Sequence, residues 1–429
     1  LKMVQTLRKV AIVGSARIPF CRSHTGYVDQ SNLSMLATAI GGLAEKYDLK
    51  GQRIGEVMAG AVISHSKDFN LAREALLDAG LSPQTPGTTM QIACGTSLQA
   101  ALTLGAKIAT GEIDSGIAAG ADTVSDSPVV FGPKMQKRMI ALSRARTTGE
   151  KLGVFKGFSF GELTPIAPST QESRTELSMG QHCELMAREW DISREAQDGL
   201  ALKSHHNAAA AYDEGFHDDL LVPCAGIVRD NNVRADTTLD KMASMKPAFD
   251  RKSGKGTLTA ANSTPLTDGA AAVLLASEDW ARERGLPVLA YLTMGAVSAN
   301  DFAGGEGLLM APTIAVSDLL RRAGLGFDDI DLFELHEAFA AQVLCTLKAW
   351  EDPAYNRDVL GRDTPLGSIP ADKINVVGSS LAYGHPFAAT GARILGVTAK
   401  LLNQREKNRA LISVCTAGGM GVAALVERE

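Results

Sequence analysis

GSSLAYGHPFAATGARILGVTAKLLNQREKNRALISVCTAGGMG (378–421) carries two features that point to chemistry as much as to packing. His385 stands on a turn behind Gly384, just ahead of a helical pattern over 386–402. Cys415 ends an apolar strand, ALISVC, and a glycine cluster follows it. A third residue, Cys94 in QIACGTSLQAA, lies far upstream where the run TTMQIA hands over to the helical pattern GTSLQAALTLGAKIATGE. Two thiols and an imidazole at such junctions suggest a histidine-assisted acyl-transfer site, because a thiolate attacks carbonyl carbon and also leaves well from a thioester. The free N–H groups and the positive end of a helix favour thiolate at Cys94. Taken alone, a free cysteine there more often simply packs beneath a helix.

Working outward, buried strands alternate with helices in the first and last thirds of the chain. Strands are expected in 9–20, 56–63, 115–125, in AAAVLLA (270–276), in 287–298, 330–335 and 373–378, and on both sides of Thr416–Gly421. Helices are expected over 33–48, 70–79, 312–323 and from Glu337 through Trp350. Cys94 with its helix and the strand SGIAAGADTVS parallels His385 with its helix and the strand ALISVC, so the chain reads as a duplicated α/β half. Between about 131 and 255 the strands become sparse and polar helical segments such as 194–213 dominate, which marks an insertion in the first copy.

The insertion opens on a basic stretch, 134–156, with Lys134, Lys137, Arg138, Arg144, Arg146, Lys151 and Lys156 against one acid, Glu150. Met135, Met139, Ile140 and Leu142 are interleaved, and Phe155, Phe158 and Phe160 follow. Three readings stand side by side: a solvated basic helix, a surface for an acidic partner or membrane headgroups, and a phosphate-binding rim.

The 429 residues exceed one simple core, so two or three packed units are expected. A net charge of −5 argues against general nucleic-acid binding. The six cysteines, at 21, 94, 183, 224, 345 and 415, form no CxxC pair, which argues against a structural zinc site or a disulfide scaffold and fits a reducing compartment. LKMVQTLRKV (1–10) lacks an apolar core followed by a cleavage site, so no secretory signal is expected. The longest nearly uncharged run, 410–426, is too short and too broken by glycine to read as a membrane span.

Six segments in order, VAIVGSARIPF, IACGTSLQA, TAANSTPLTDGAAAV, HEAFAAQ, GHPFAATGAR and CTAGGMGVAALVE, resemble the motifs of the thiolase family over essentially the whole chain. Most thiolases carry Asn where this chain has His336 in HEAF. That histidine, with KMQKRM and the PFAATGAR ending, resembles the thiolase subunits of multifunctional fatty-acid β-oxidation complexes. The resemblance implies a layered α-β-α-β-α fold of two five-stranded sheets with helices buried between them. Its N-terminal half would be 1–131 plus 255–285, its mainly helical loop domain 132–254, and its C-terminal half 286–429.

The implied activity is CoA-dependent retro-Claisen cleavage of a 3-ketoacyl-CoA. Cys94 would be the nucleophile, His385 its base, Cys415 the second acid and base, and His336 a donor to the enolate oxygen. Backbone N–H groups of Cys94 and Ala417 would make a second oxyanion hole. Ser178 and Met179, and Asn262, Ser263 and Thr264, would line the CoA path, with coenzyme A as substrate and no cofactor or metal. A homodimer or homotetramer, a hydratase/dehydrogenase partner subunit, and contact of 134–160 with that partner or a membrane are further implications. The expected location is the cytoplasm, or the mitochondrial matrix if a transit peptide has been removed. An acetoacetyl-CoA thiolase running in the condensing direction and a non-catalytic scaffold or lipid carrier are the alternatives. Two departures stand out: Gly378-Ser379 replaces a glycine pair, and Ala417 stands where many members have glycine.

Overall fold

Val10–Arg17 (β1) is buried along its whole length, as a strand covered on both faces must be. The computed structural model describes residues 6–429; residues 1–5, the start of the stretch read above for a secretory signal, lie outside the described residues. After β1 come Cys21–Arg22 (β2), Asn32–Lys46 (α1), Glu56–Gly60 (β3), Leu71–Asp78 (α2), Gly87–Thr89 (β4), Thr96–Thr110 (α3) and Ser115–Asp122 (β5). The insertion contributes Val130–Phe131 (β6), Pro133–Arg144 (α4), Thr148–Val154 (α5), Pro165–Ile166 (β7), Met179–Glu189 (α6), Arg194–Asp213 (α7) and Leu239–Ala243 (α8). Thr267–Ser277 (β8) and Glu278–Glu283 (α9) return to the first half. The second half runs Ala290–Ala299 (β9), Ala311–Ala323 (α10), Leu332–Leu335 (β10), Ala340–Glu351 (α11), Pro353–Asp358 (α12), Ser380–Tyr383 (α13), Thr390–Gln404 (α14), Arg409–Thr416 (β11) and Met420–Glu427 (β12).

The strands lie in the order β10-β11-β12-β9-β1-β8-β5-β3-β4, with β2 on β8. The sheets of the two halves meet edge to edge. A short antiparallel pairing of β1 with β9, Ala11 with Tyr291 and Ile12 with Ala290, joins both halves into one hydrogen-bonded path. Outward from that seam the two halves repeat: β1, β8, β5, β3 on one side match β9, β12, β11, β10 on the other. The fifth strand differs. Beside β3 lies β4, but beside β10 only Ile374 bridges Phe333.

The strand expected over 373–378 is therefore absent, and Asn375 explains why. Its backbone is left-handed, with φ 48°, so the chain turns there instead of extending. Its side-chain amide takes the place of a strand partner. Leu335 N–H donates to Asn375 Oδ1 at 2.8 Å, and Asn375 Nδ2 donates to Leu335 O at 2.9 Å.

Helices α3 and α14 are the equivalent elements of the two halves and share a core cluster through Leu98, Ala101, Leu104, Ala392 and Leu395. At Gly391 a Cβ would lie 2.4 Å from the Leu98 backbone nitrogen, so only glycine allows the two backbones to come this close. That approach brings the N-terminal ends of both helices together.

In the second half β11 and β12 are joined by three residues, Ala417–Gly419, with Gly418 and Gly419 left-handed at φ 79° and 68°. In the first half the same connection, β5 to β8, holds the whole insertion. Arg17 anchors it: both guanidinium ends donate to Asp230 at 2.7 Å, and Phe20 N–H donates to the same carboxylate at 2.6 Å. Each member of that pair is buried, so the bidentate geometry is what offsets its desolvation.

Candidate active site

Cys94 does not sit at the end of a strand. β4 stops at Thr89, and residues 90–95 form a turn whose tightest point is Ala93, left-handed at φ 46°. An L-residue held there is strained, and three bonds hold it. Gln91 Oε1 accepts the Ala93 N–H at 2.8 Å, Thr96 Oγ1 donates to Ala93 O at 2.7 Å, and the same hydroxyl accepts Ile92 N–H at 3.0 Å. Gly95 then starts the turn into α3, and a Cβ on it would lie 2.7 Å from Val422 Cγ2 and 3.0 Å from Thr416 Cγ2. The Cys94 turn of one half thus rests directly on the hairpin of the other.

His385 follows Gly384, which is left-handed at φ 98°. His385 N–H donates to Thr267 Oγ1 at 3.0 Å, and the turn behind it is tied to β5 by Ala388 N–H donating to Asp122 at 2.8 Å. The same carboxylate accepts Val62 and Ile63 N–H groups at 3.0 and 2.8 Å, so one buried acid ties two loops to the end of β5. On the ring, Nδ1 is 2.5 Å from Thr390 Oγ1 and Nε2 is 3.1 Å from Cys94 Sγ. In the tautomer that donates Nδ1–H to Thr390, the Nε2 lone pair faces the thiol.

His336 comes directly after β10, its N–H donating to Ser413 O at 2.9 Å. Its ring lies 4.2 Å from that of His385, tilted by 48°. Its Nδ1 is 2.8 Å from Ser380 Oγ, while its buried Nε2 has no hydrogen-bond partner among the described residues. Glu337 beneath it accepts Ser204 Oγ–H at 2.7 Å, Asn375 Nδ2–H at 2.9 Å and Leu381 N–H at 3.1 Å. Cys415 pairs with Gly421 near the end of β11, two residues beyond the Ser413 carbonyl that holds His336.

Desolvation dominates the electrostatics. Cys94, His336, His385 and Cys415 are 6 %, 0 %, 3 % and 1 % exposed. Burial pushes the Cys94 thiol up to about 12, against the pull of Ala417 N–H and its own N–H, which hydrogen-bond toward it. The pull toward thiolate from the helix start is thus outweighed by burial, which favours the neutral thiol. Burial first, then the Arg393 charge, lowers His385 to about 3. His336 falls well below its ordinary value through burial, then His385 and Arg393. Burial, then Cys94, raises Cys415 well above a free thiol. Ala417 is not among the residues with positive φ, so alanine presents its N–H here without strain.

The five residues aligned with a CoA path are placed differently from one another. Ser178 caps α6, its hydroxyl accepting Gln181 N–H at 3.2 Å, and Met179 is the first residue of that helix. Asn262 is consumed internally, accepting Thr259 N–H at 2.7 Å and donating to Asp198 at 2.9 Å. Thr264 donates to Ser380 O at 3.0 Å. Ser263 alone of the five lines a cavity of about 160 Å³, together with Arg22, His205, Arg234, Met242 and Leu381, and its buried hydroxyl has no partner among the described residues. Arg22 and Arg234 were not singled out from the sequence, nor were Ser380, Thr390 and Arg393; isolated arginines and serines carry no motif.

The ligand atoms of Cys94, His336 and His385 lie within 4.8 Å of one another, a spacing a thiophilic cation can span if His336 Nε2 is unprotonated. A thiol, a base touching it, a second imidazole and a second thiol, all shielded from water, match the needs of acyl transfer between sulfur atoms.

Comparison with known proteins agrees with this chemistry. Residues 10–279 match the family model described as thiolase, N-terminal domain, and residues 286–428 match thiolase, C-terminal domain. The chain belongs to the thiolase family. A 3-ketoacyl-CoA thiolase of Serratia proteamaculans is 40% identical over 427 residues, covering 98% of this chain and 97% of its own. One of the same name from Photobacterium profundum is also 40% identical, with the same coverage. The crystal structure of the Bacillus anthracis acetyl-CoA acetyltransferase superposes with a TM-score of 0.82 at 27% identity, covering 99% of both chains.

A neutral thiol beside a neutral imidazole makes a definite prediction about reactivity. The pair reacts through its minor thiolate–imidazolium form, whose fraction is constant between the two macroscopic pKa values. Iodoacetamide alkylation of Cys94 should therefore be level between about pH 6 and pH 9, and in His385→Ala it should fall at neutral pH and climb about tenfold per pH unit. A step in the wild-type rate centred near pH 6.5, the ordinary histidine value, would contradict the lowered His385.

Proposed function

We propose that this thiolase cleaves 3-ketoacyl-CoA with coenzyme A to give acetyl-CoA and an acyl-CoA shortened by two carbons. The observation that carries the reading is the 3.1 Å contact between His385 Nε2 and Cys94 Sγ, with the unpartnered His336 Nε2 beside it. The 3-ketoacyl-CoA thiolases that match this chain along nearly its full length support the same direction of reaction.

In the proposed sequence His385 takes the Cys94 proton as Sγ attacks the C3 ketone. The C2–C3 bond breaks, leaving an acyl thioester on Cys94 and the enolate of acetyl-CoA, whose oxygen is met by N–H donors of His336 and His385. Cys415 delivers its proton to C2 and is left as a thiolate. It then deprotonates incoming CoA, whose sulfur attacks acyl-Cys94. The tetrahedral oxyanion is held by the N–H groups of Cys94 and Ala417, and Cys94 leaves and recovers its proton from His385. A raised Cys415 thiol suits the exchange, since its partner is the C–H of a thioester, itself a weak acid.

For the CoA moiety we assign the cavity beside Ser263, where Arg22 and Arg234 supply charge for phosphate and Met242 and Leu381 an apolar wall. The phosphate partners are then Arg22 and, from the loop domain, Arg234. Coenzyme A is a substrate in this scheme and not a resident cofactor. Six cysteines with free thiols favour a reducing compartment, the cytoplasm or the mitochondrial matrix. Among the described residues no helix is long and apolar enough to cross a membrane. We divide the chain into halves 1–131 plus 255–285 and 286–429 with a loop domain at 132–254, which the duplicated strand order supports.

We also assign 134–160 a docking role, toward a hydratase/dehydrogenase subunit or an anionic membrane. Its support is exposed apolar surface, Met139, Ile140, Leu152 and Phe160, among cations of which Arg138 is tied up by Glu162 at 2.6 Å. Charge reversal at Lys134 and Lys137 should weaken binding to anionic liposomes or to the partner subunit without lowering thiolysis; undiminished binding to both would end the assignment.

Thiolysis of a 3-ketoacyl-CoA series, followed at the magnesium-enolate absorbance, tests the main reading. Wild type should turn over chains longer than acetoacetyl-CoA; activity confined to acetoacetyl-CoA would favour the condensing enzyme. Cys94→Ala should lose at least about 10³-fold in kcat, and Cys415→Ala roughly 10²-fold with acylation of Cys94 retained. Full turnover in either variant removes the role assigned to that thiol.

A further inference from the structure

The hydrogen bonds behind His336 form a closed chain. One nitrogen of Arg393, Nη2, reaches Ser379 Oγ at 3.2 Å and Ser380 Oγ at 3.0 Å. A guanidinium nitrogen only donates, so both serine oxygens act as acceptors toward it. Each serine then has one proton left to place. Ser379 places its proton on Leu335 O at 3.4 Å. The other contact of Ser380 Oγ is His336 Nδ1 at 2.8 Å. Were Nδ1 protonated, it would donate to the same oxygen, and the buried Ser380 hydroxyl would have no acceptor among the described residues. Such an orphaned donor is costly in a buried site.

We propose that Arg393 and Ser380 act as a positioning relay that locks His336 in the tautomer carrying its proton on Nε2. That proton then faces the reacting groups with no competing partner, beside the His385 ring. His336 becomes a donor of fixed direction, able to hold the enolate oxygen and unable to accept a proton or ligate a cation through Nε2. The geometry around the relay is itself held. Thr264 Oγ1 fixes the Ser380 carbonyl at 3.0 Å, and the Arg393 guanidinium lies 5.5 Å from the Tyr383 ring centre. Burial and the nearby Arg17 lower Arg393 only to about 10, so it keeps its charge at neutral pH. Burial first, with His385 and Arg393 adding to it, keeps His336 neutral, which a directional tautomer requires. The planar guanidinium fixes the directions of the two Nη2–H bonds, which a freely rotating lysine ammonium does not.

The inference rests on the thiolytic reading, and its test separates the two. Selectively ¹⁵N-histidine-labelled wild type at pH 7, with the His336 signals assigned from a His336→Asn variant, should show Nε2–H and a bare Nδ1. The Nδ1–H form overturns the proposal whether or not the protein is a thiolase. In kinetics, Ser380→Ala should lower kcat for cleavage by roughly 10²-fold, the scale of losing one oxyanion donor. KM should stay within about threefold and iodoacetamide alkylation of Cys94 within about twofold, because neither uses the His336 proton. Arg393→Lys should fall between wild type and Arg393→Met. Unchanged kcat in Ser380→Ala overturns the relay while leaving thiolysis intact. A wild type unable to cleave any 3-ketoacyl-CoA overturns the reading of function, and the tautomer spectrum still decides the relay. Should Ser380→Ala lose alkylation along with kcat, its site has collapsed, and the wild-type spectrum decides.

Discussion

The contact on which the molecule depends is the one between Cys94 Sγ and His385 Nε2, 3.1 Å apart across 291 residues of chain. Neither group is useful alone. Burial leaves the thiol protonated and the imidazole unprotonated, so both resting charges are absent and no desolvated ion has to be carried by the folded state. Charge appears only as the proton moves, in a space where the surrounding N–H donors act with little screening. The helix starts that present the two residues contribute position more than field. Gly391, lying against the Leu98 backbone, is what allows two helix ends to approach closely enough for a hydrogen bond between the turns that precede them.

Duplication explains why such a contact exists. Each half leads from a turn into its central helix, α3 or α14, and the two halves meet back to back along β1 and β9. A residue at the start of one central helix is therefore brought opposite its counterpart in the other half. The hairpin between β11 and β12 stayed short and supplies Cys415 and the Ala417 N–H, whereas the equivalent connection in the first half grew into the insertion. The insertion is not merely appended. Asp230 grips Arg17 at the end of β1, and Glu172 accepts the Gly418 N–H at 2.9 Å, bracing the hairpin from outside. The insertion, β1 and the hairpin are in this way parts of one packed unit.

Much of this was legible in the chain itself. Apolar runs bounded by glycine located β1, β5, β8, β11 and β12, and the pairing of cysteine and histidine with helix starts pointed to one site. Helix boundaries fell close, because α1, α3, α7 and α10 have strong periodicity or caps. What could not be read was set by side chains acting as backbone. KINVVG has the composition of a strand, yet Asn375 satisfies Leu335 with its amide and turns the chain away. Similarly, α14 begins at Thr390 and α11 at Ala340, later than the hydrophobic pattern alone indicates, because the His385 and Glu337 turns are held by tertiary bonds. The rise of the Cys94 thiol has a related cause: helix geometry is local and visible in sequence, while burial is a property of the whole fold. Ser380 and Arg393 lay within a recognised segment, but nothing local tells that one guanidinium nitrogen joins two serines behind a histidine.

The central claim is that Cys94, activated by a neutral His385, carries the acyl chain between the two sulfur chemistries. Mass spectrometry of the protein quenched seconds after mixing with a 3-ketoacyl-CoA, with no free CoA added, tests it most directly. A gain equal to the substrate's acyl chain shortened by two carbons, located to the peptide containing Cys94, is the predicted result. The same adduct on Cys415, an intact ketoacyl group on Cys94, or no covalent adduct while acetyl-CoA is released would contradict it.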